Sequence, residues 1–229
     1  MAASGLDPST IFPFPLDDFQ LEAIDALDQG HSVVVSAPTG SGKTLVGEYA
    51  IHRALAHGQK VFYTTPLKAL SNQKLRDFRE AYGDDNVGLM TGDLSVNREA
   101  SIVVMTTEIF RNMLYAEASE HDDPLADVEA VVLDECHYMN DSQRGTVWEE
   151  SIIHCPPSVQ LVALSATVAN AGQLTDWIEK VHGPTTLVLS DHRPVPLQFS
   201  FCSAKGLHPL LNEAGTCLLY TSDAADELS

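Results

Sequence analysis

The chain has 229 residues, 32 of them acidic and 13 basic, which gives a formal net charge of −19. This length suits one large domain or two small ones and allows a sizeable core without disulfide or metal staples. The charge disfavours nonspecific attachment to a polyanion, so any nucleic-acid contact has to use a local patch. The basic residues are concentrated in residues 39–79, where we interpret Arg53, Lys60 and Arg79 as lying on solvated helix faces.

Compartment signals in the sequence are few. No stretch has the apolar length of a membrane span, and residues 1–15 lack a basic region followed by an apolar one, which would mark a secretory signal. The cysteines are widely spaced without a CxxC pair, which argues against a zinc site or a disulfide framework. We therefore predict a protein of a reducing, cytoplasmic compartment with no membrane association. The cysteines are Cys136, Cys155, Cys202 and Cys217.

Short apolar runs alternate with helix-like stretches along the chain. Near-continuous apolar runs rich in β-branched residues are typical of strands buried on both faces of a parallel sheet. The alternation predicts an α/β domain with a mostly parallel sheet and helices on both faces. We interpret His154, Cys155, Trp148 and Trp177 as core residues. The predicted strands are 32–37, 60–66, 101–107, 128–135, 159–166 and 185–190, and the predicted helices are 42–58, 67–83, 108–118, 145–155 and 170–183.

The first predicted strand leads into "APTGSGKT" at residues 37–44, directly before a helix. This matches the phosphate-binding pattern GxxxxGK[ST] except that alanine replaces the first glycine. Backbone amides of such a loop and the positive end of the helix dipole bind phosphate oxygens, whereas a simple glycine turn would only cap the helix. Lys43 would reach the β- and γ-phosphates of ATP, and the Thr44 hydroxyl would ligate Mg²⁺. The predicted phosphate-binding residues are Pro38, Thr39, Gly40, Ser41, Gly42, Lys43 and Thr44.

Two adjacent carboxylates follow the apolar run "VVL" at residues 131–133. Charges at the end of a buried strand are costly unless they are solvated or meet a cation. With a phosphate-binding loop upstream, we predict that Asp134 holds magnesium, through water, and that Glu135 orients and deprotonates the attacking water. A solvated acidic loop is the alternative interpretation. Lys43, Asp134 and Glu135 are thus the predicted catalytic residues.

In this order and spacing, the motifs resemble those of a superfamily 2 DExD/H-box helicase of the Ski2-like group, which includes exosome-associated RNA helicases. The resemblance extends over about residues 12–204 and implies a RecA-like P-loop NTPase domain. It also implies that Phe14 stacks on adenine and that Gln20 bonds the edge of the base. The similar segments are "FPFPLDDFQLEAI" (12–24), "APTGSGKT" (37–44), "TTPLKALSNQK" (64–74), "TGD" (91–93), "TTE" (106–108), "DECH" (134–137), "SAT" (165–167) and "HRPVPL" (192–197).

The resemblance further implies contacts with a single strand of nucleic acid, RNA more than DNA. The three segments after apolar runs would line one rim of the sheet and bind sugar–phosphate, which carries no base sequence. Helix capping is the alternative role for Thr107, and the two roles are compatible. The implied contact residues are Thr65, Pro66, Lys68, Asn72, Thr91, Gly92 and Thr107.

His137 has two interpretations, a lone histidine with satisfied hydrogen bonds or a residue that couples the DECH box to the "SAT" segment. The resemblance favours coupling between His137 and Ser165, Ala166 and Thr167. Such coupling would relate the state of the nucleotide to movement of the motor.

The resemblance implies one domain of a longer ATP-dependent RNA helicase, with Mg²⁺ and ATP as its cofactors and a second RecA-like domain in cis that this sequence lacks. A DNA repair helicase of the related archaeal type is an alternative, because backbone contacts do not distinguish RNA from DNA. A nucleotide-gated nucleic-acid-binding module without turnover is another. The predicted organisation is a tail (1–11), the ATP-binding domain (12–195), a connecting segment (196–215) and a non-native or disordered end (216–229).

Overall fold

The structure is a computed structural model, and it describes residues 6–115, 124–140, 145–203 and 206–211. The predicted non-native end at 216–229 and the last residues of the predicted helix 108–118 lie outside these ranges. The described residues fall into two compact units, one up to His192 and the other from Arg193 onwards.

The first unit is built on an eight-stranded sheet. Its order is β4-β3-β5-β2-β6-β7-β1-β8, and every neighbouring pair is parallel except β3 and β4. All six predicted strands are present, and two additional strands extend the sheet beyond β5, with β3 next to β5 and β4 at the edge. The strands are β1 (Ser32–Ser36), β2 (Lys60–Thr65), β3 (Val87–Met90), β4 (Ser95–Val96), β5 (Ile102–Thr106), β6 (Val128–Leu133), β7 (Gln160–Ser165) and β8 (Thr185–Leu189).

Helices connect the strands, and local signals set their ends. Asp17 and Gln20 form a capping box at the start of α2, with the Asp17 amide donating to Gln20 Oε1 at 2.9 Å. Gly58 ends α3 in the left-handed conformation, at a φ of 70°. The helices are α1 (Pro8–Ile11), α2 (Asp18–Asp28), α3 (Thr44–His57), α4 (Lys68–Tyr82), α5 (Thr107–Tyr115), α6 (Gly145–His154) and α7 (Ala171–Val181), with 3₁₀ turns at Asp84–Asn86 and Cys136–Asn140.

Two apolar clusters cover the two faces of the sheet. Val33 and Val35 of β1 point into the cluster formed with α2 and α3, whereas Val34 points into the cluster with α6 and α7. This alternation follows from the two-residue period of a strand. Helices on both faces of a mostly parallel sheet confirm the predicted fold class. None of the described helices is long and apolar enough to cross a membrane.

The structure corrects three assignments of single residues. Lys60 was predicted to lie on a solvated helix face, but it is the first residue of β2 and is half-buried. Arg53 is 4% exposed and ion-paired inside the protein, so the prediction of a solvated position is wrong. His154 was predicted to be a core residue, but it is exposed at the end of α6. Trp148 and Cys155 are buried as predicted, and Trp177 is half-buried. A helix, α1, also lies within the segment that the sequence predicts to be a tail.

In the second unit the described residues form an antiparallel pair of strands. β9 (Ser200–Ser203) pairs with β10 (Gly206–Pro209), and the rings of Phe201 and His208 stack across the pair with centroids 5.1 Å apart.

Candidate nucleotide-binding site

The carboxyl ends of the parallel strands bring the predicted phosphate loop and the two predicted carboxylates together. The loop between β1 and α3 and the turn after β6 open onto one cavity of about 400 Å³. Such edges of open parallel sheets are where ligands bind. The lining residues are Thr39, Gly40, Gly42, Lys43, Thr44, Leu70, Gln73, Lys74, Asp134 and Glu135.

The loop has a backbone that requires glycine. Gly40 and Gly42 both have a φ of 84°, in the left-handed region that glycine tolerates best. At Gly42 a Cβ atom would also lie 2.8 Å from Gln20 Nε2, which donates a hydrogen bond to the Gly42 carbonyl at 3.0 Å. The glycine therefore permits both the turn and the close approach of α2.

The polar groups of the loop fit a phosphate. Lys43 is only 6% exposed, and α3 begins at Thr44, so a buried cation adjoins the positive end of a helix. The hydroxyl of Ser41 is buried and has no hydrogen-bond partner among the described residues. Buried polar groups normally have partners, so this loop has the chemistry of an anion site that needs its anion.

Asp134 has a defined orientation. Its Oδ2 accepts a hydrogen bond from the buried Tyr63 hydroxyl at 2.9 Å, and its Oδ1 accepts one from the Glu135 amide at 2.9 Å. Burial, followed by the charge of Asp134, raises the pKa of Tyr63 well above its usual value, so Tyr63 stays a donor. Glu135 has a φ of 56°, so the backbone of this turn is left-handed directly after Asp134.

The oxygen atoms at this end of the cavity suit magnesium. Thr44 and Asp134 line the same cavity and offer the oxygen ligands that Mg²⁺ prefers. No group of three or more His, Cys, Asp or Glu side chains that could hold a metal occurs among the described residues. A magnesium ion here would therefore use few protein ligands, as it does where substrate phosphates complete its coordination.

His137 lies between the DECH turn and the "SAT" segment. Its Nδ1 is 3.2 Å from Glu135 Oε2 and accepts a hydrogen bond from the Ala166 amide at 3.4 Å. Ser165 donates to the Ala166 carbonyl at 2.8 Å, and Thr167 is exposed. Nδ1 cannot accept from the amide and donate to the carboxylate at once, so its proton decides which partner it binds. A second cavity, of about 250 Å³, also adjoins His137 and Ser165.

The two residues predicted to bind adenine, Phe14 and Gln20, differ in their exposure. Phe14 is 54% exposed, with its ring centroid 6.1 Å from that of Phe12. Gln20 is buried, and its amide bridges Asp17 and Gly42. A primary amide retains a second N–H and a further lone pair, so contact with a base remains open to Gln20.

The predicted nucleic-acid residues divide into exposed and buried ones. Lys68, Asn72 and Gly92 are exposed. Lys68 is ion-paired with Asp93 at 2.9 Å, and that hydrogen bond lowers the pKa of Asp93. Thr91 is half-buried and donates to Asp93 at 2.9 Å.

The other three predicted contact residues, Thr65, Pro66 and Thr107, are buried. Thr65 Oγ1 lies 2.7 Å from Ser71 Oγ, and Thr107 donates to the Thr65 carbonyl at 3.3 Å. These hydrogen bonds connect the end of β2 with the starts of α4 and α5. The structure thus does not place these side chains on the surface.

The sequence reasoning missed four residues that line or adjoin the cavity. Leu70, Gln73 and Lys74 come from α4, and Tyr63 supports Asp134 from β2. The i, i+3, i+4 spacing of Leu70, Gln73 and Lys74 is the signal of a common helix face. The spacing alone does not indicate which ligand this face of the helix would bind.

Comparisons with known proteins agree with this geometry. The profile of the family DEAD/DEAH box helicase matches residues 17–174. The chain is 57% identical over 208 residues to the chloroplastic DExH-box ATP-dependent RNA helicase DExH15 of Arabidopsis thaliana, covering 90% of this chain and 18% of that protein. It is 49% identical over 207 residues to the exosome RNA helicase MTR4 of Homo sapiens, covering 89% and 19%. The chain thus spans about a fifth of the length of these relatives.

A solved helicase structure is also similar to this chain in sequence and fold. The Mycobacterium smegmatis helicase Lhr bound to ssDNA and AMP-PNP superposes with a TM-score of 0.64 at 28% identity, over 85% of this chain and 28% of that one. The residues that line the cavity, the order of the motifs and the matches to known proteins all indicate the same family. The chain belongs to the DEAD/DEAH box helicase family.

Proposed function

We propose that this chain is the ATP-binding and ATP-hydrolysing domain, residues 12–195, of an ATP-dependent RNA helicase. The observation that carries the proposal is the single cavity onto which Lys43, Thr44, Asp134 and Glu135 all open. The relatives are about five times longer than this chain, in keeping with a second RecA-like domain in cis. Closure of two domains on a single strand would convert hydrolysis into translocation and unwinding.

The residues divide the chemistry among themselves. The loop amides and Lys43 bind the phosphates and neutralise their charge. Thr44 and Asp134 would hold Mg²⁺, which supplies further neutralisation of charge on the transferred phosphoryl group. Glu135 orients the attacking water and accepts its proton. His137 then relates the state of Glu135 to the "SAT" segment through the Ala166 amide.

Titration calorimetry with Mg–ATP tests the site. We expect the parent chain and Glu135→Gln to bind ATP, and Lys43→Ala to bind at least about 10-fold more weakly, since it loses a charge-assisted contact. A folded parent chain that does not bind ATP at millimolar concentration would contradict the proposal.

Turnover separates the enzyme from a nucleotide-gated binding module. In a chain that includes the second domain, Glu135→Gln should retain ATP binding and lose phosphate release, because only the water-activating group is removed. Equal phosphate release by parent and variant would favour the module. Unwinding by the 229-residue chain alone is expected to fail, and ATP-dependent strand displacement by it would contradict that expectation.

RNA is the favoured strand because similar proteins at 49% and 57% identity are named RNA helicases. DNA is the second candidate, since the 28%-identical Lhr structure holds ssDNA. Competition between RNA and DNA oligonucleotides of the same sequence, in the presence of AMP-PNP, distinguishes the two. Preference for RNA by about 10-fold or more would identify a contact with the 2′-hydroxyl.

A further inference from the structure

Lys74 is a half-buried lysine of α4 whose described partners are aromatic. Its Nζ lies 5.3 Å from the ring centroid of Tyr63 and 5.6 Å from that of Phe78. Lys60 and Lys68 have carboxylate partners at 3.2 Å and 2.9 Å, whereas Lys74 has none within 4.0 Å among the described residues. The aromatic faces hold the ammonium group in place without neutralising it.

Glu48, on α3, is a carboxyl group that interacts with Lys74 through charge. Burial raises the pKa of Glu48, and the charge of Lys74 lowers it. Asp77 also acts on Glu48, raising its pKa.

Lys74 also faces the nucleotide cavity. It lines the same space as Lys43, Asp134 and Glu135, so two lysines and two carboxylates share it. A nucleoside triphosphate brings more negative charge than one divalent cation neutralises, which leaves room for a second lysine. The amides of the loop bind the inner phosphates of the nucleotide. The terminal phosphate, which the water activated by Glu135 would attack, is therefore the one that a lysine outside the loop can contact.

We propose that Lys74 is a second phosphate-binding lysine of this site, which contacts the terminal phosphate of bound ATP. The inference rests on the proposed function, since it requires that the cavity binds ATP. Its consequence is that α4 distinguishes ATP from ADP. Because α4 also carries the exposed Lys68 and Asn72 at the rim, one rigid helix then joins the nucleotide to the nucleic-acid surface.

The test compares binding of Mg–AMP-PNP and Mg–ADP by calorimetry in the parent chain, Lys74→Met and Lys74→Arg. Methionine keeps an unbranched apolar stem on Tyr63 and Phe78 and removes only the charge. We expect Lys74→Met to weaken AMP-PNP about 10-fold or more and ADP less than about 3-fold. Lys74→Arg should bind both within about 3-fold of the parent.

Arg76→Met is the matched control, because Arg76 lies on the same helix, carries the same charge and is exposed. It should leave both affinities within about 2-fold of the parent. Equal weakening of AMP-PNP and ADP in Lys74→Met, or no weakening of either, would overturn the role of Lys74 while the parent still binds ATP. If the folded parent chain did not bind ATP at all, that result would instead overturn the proposed function.

Discussion

At Asp134, two hydrogen bonds from the protein set the direction of the carboxylate before any ligand is bound. The Glu135 amide belongs to the same turn, but the Tyr63 hydroxyl comes from a different strand and is buried. Groups that support a metal ligand in this way commonly affect metal affinity about 10- to 100-fold. Tyr63 is thus a positioning residue for the predicted magnesium site.

Tyr63→Phe should weaken Mg–ATP binding about 10-fold and leave Mg-free ATP binding almost unchanged, because only the orientation of Asp134 is lost. Calorimetry with and without Mg²⁺ measures the two affinities. Tyr82→Phe is the matched control, since Tyr82 also packs on Phe78 but its hydroxyl donates no hydrogen bond to a described residue. Equal losses with and without Mg²⁺ would contradict a positioning role.

His182 makes the stability of the fold sensitive to acid. It is 6% exposed, with Nε2 2.9 Å from the Val159 carbonyl, and burial lowers its pKa below the usual 6.5. The folded state therefore binds fewer protons than the unfolded state below about pH 6.5. The free energy of unfolding falls as pH decreases through that window, by at most about 1.4 kcal/mol per pH unit.

Urea denaturation of the parent and His182→Gln between pH 7 and pH 5 tests this effect. We expect the parent to lose stability relative to the variant as pH falls, because only the parent has the imidazole to protonate on unfolding. Taking the difference between the two proteins removes the contribution of all other titrating groups. Parallel pH dependences of the two proteins would show that His182 does not contribute.

At the scale of the helices, alanine substitutions at two glycines with different backbone conformations should change the free energy of unfolding in opposite directions. Gly58 ends α3 at a φ of 70°, where an alanine costs about 1–2 kcal/mol. Gly172 lies in the first turn of α7 with open space around a Cβ atom and no positive φ. Alanine at Gly172 should stabilise by about 0.5–1 kcal/mol through the reduced entropy of the unfolded chain.

Chemical denaturation of Gly58→Ala and Gly172→Ala measures both changes in the free energy of unfolding. The two variants add the same methyl group, so the comparison isolates the backbone conformation. If both variants changed stability in the same direction, the end of α3 would not depend on the left-handed position.

Across the whole molecule, Arg53 joins elements that are far apart in sequence. Its Nε donates to Glu129 of β6 at 2.6 Å, and its guanidinium also bonds Gln160 of β7 and lies 3.7 Å from Asp28 at the end of α2. The side chain of Arg53 is 5% exposed and that of Glu129 is 11% exposed. Removing one partner of a buried ion pair leaves the other charge uncompensated.

Arg53→Met should therefore lower the free energy of unfolding by about 3–5 kcal/mol. A second change, Glu129→Gln, should recover part of that loss, since it removes one of the two carboxylates that lose Arg53 as a partner. Urea denaturation of the single and double variants gives the coupling energy, with exposed Arg76→Met expected within about 0.5 kcal/mol of the parent. A loss below about 1 kcal/mol in Arg53→Met would contradict a structural role for the network.

The strands and the phosphate loop could be predicted from the sequence because their signals are local. The run "SVVVS" is apolar in every central position, and a strand buried on both faces requires that pattern. The β3–β4 pair escaped prediction because β4 has only two residues, too few for a period to show. Helix α2 escaped because its segment was interpreted by motif and not by its capping box.

The sequence by itself determined which residues follow the buried strands, and so it determined the phosphate loop, the adjacent carboxylates and their common edge. Only the tertiary structure decided that Arg53 is buried, that Tyr63 holds Asp134 and that Lys74 faces the nucleotide cavity. The physical reason is distance along the chain. Tyr63 and Asp134 are 71 residues apart, and their contact follows from the parallel pairing of β2 with β6, which no local pattern specifies.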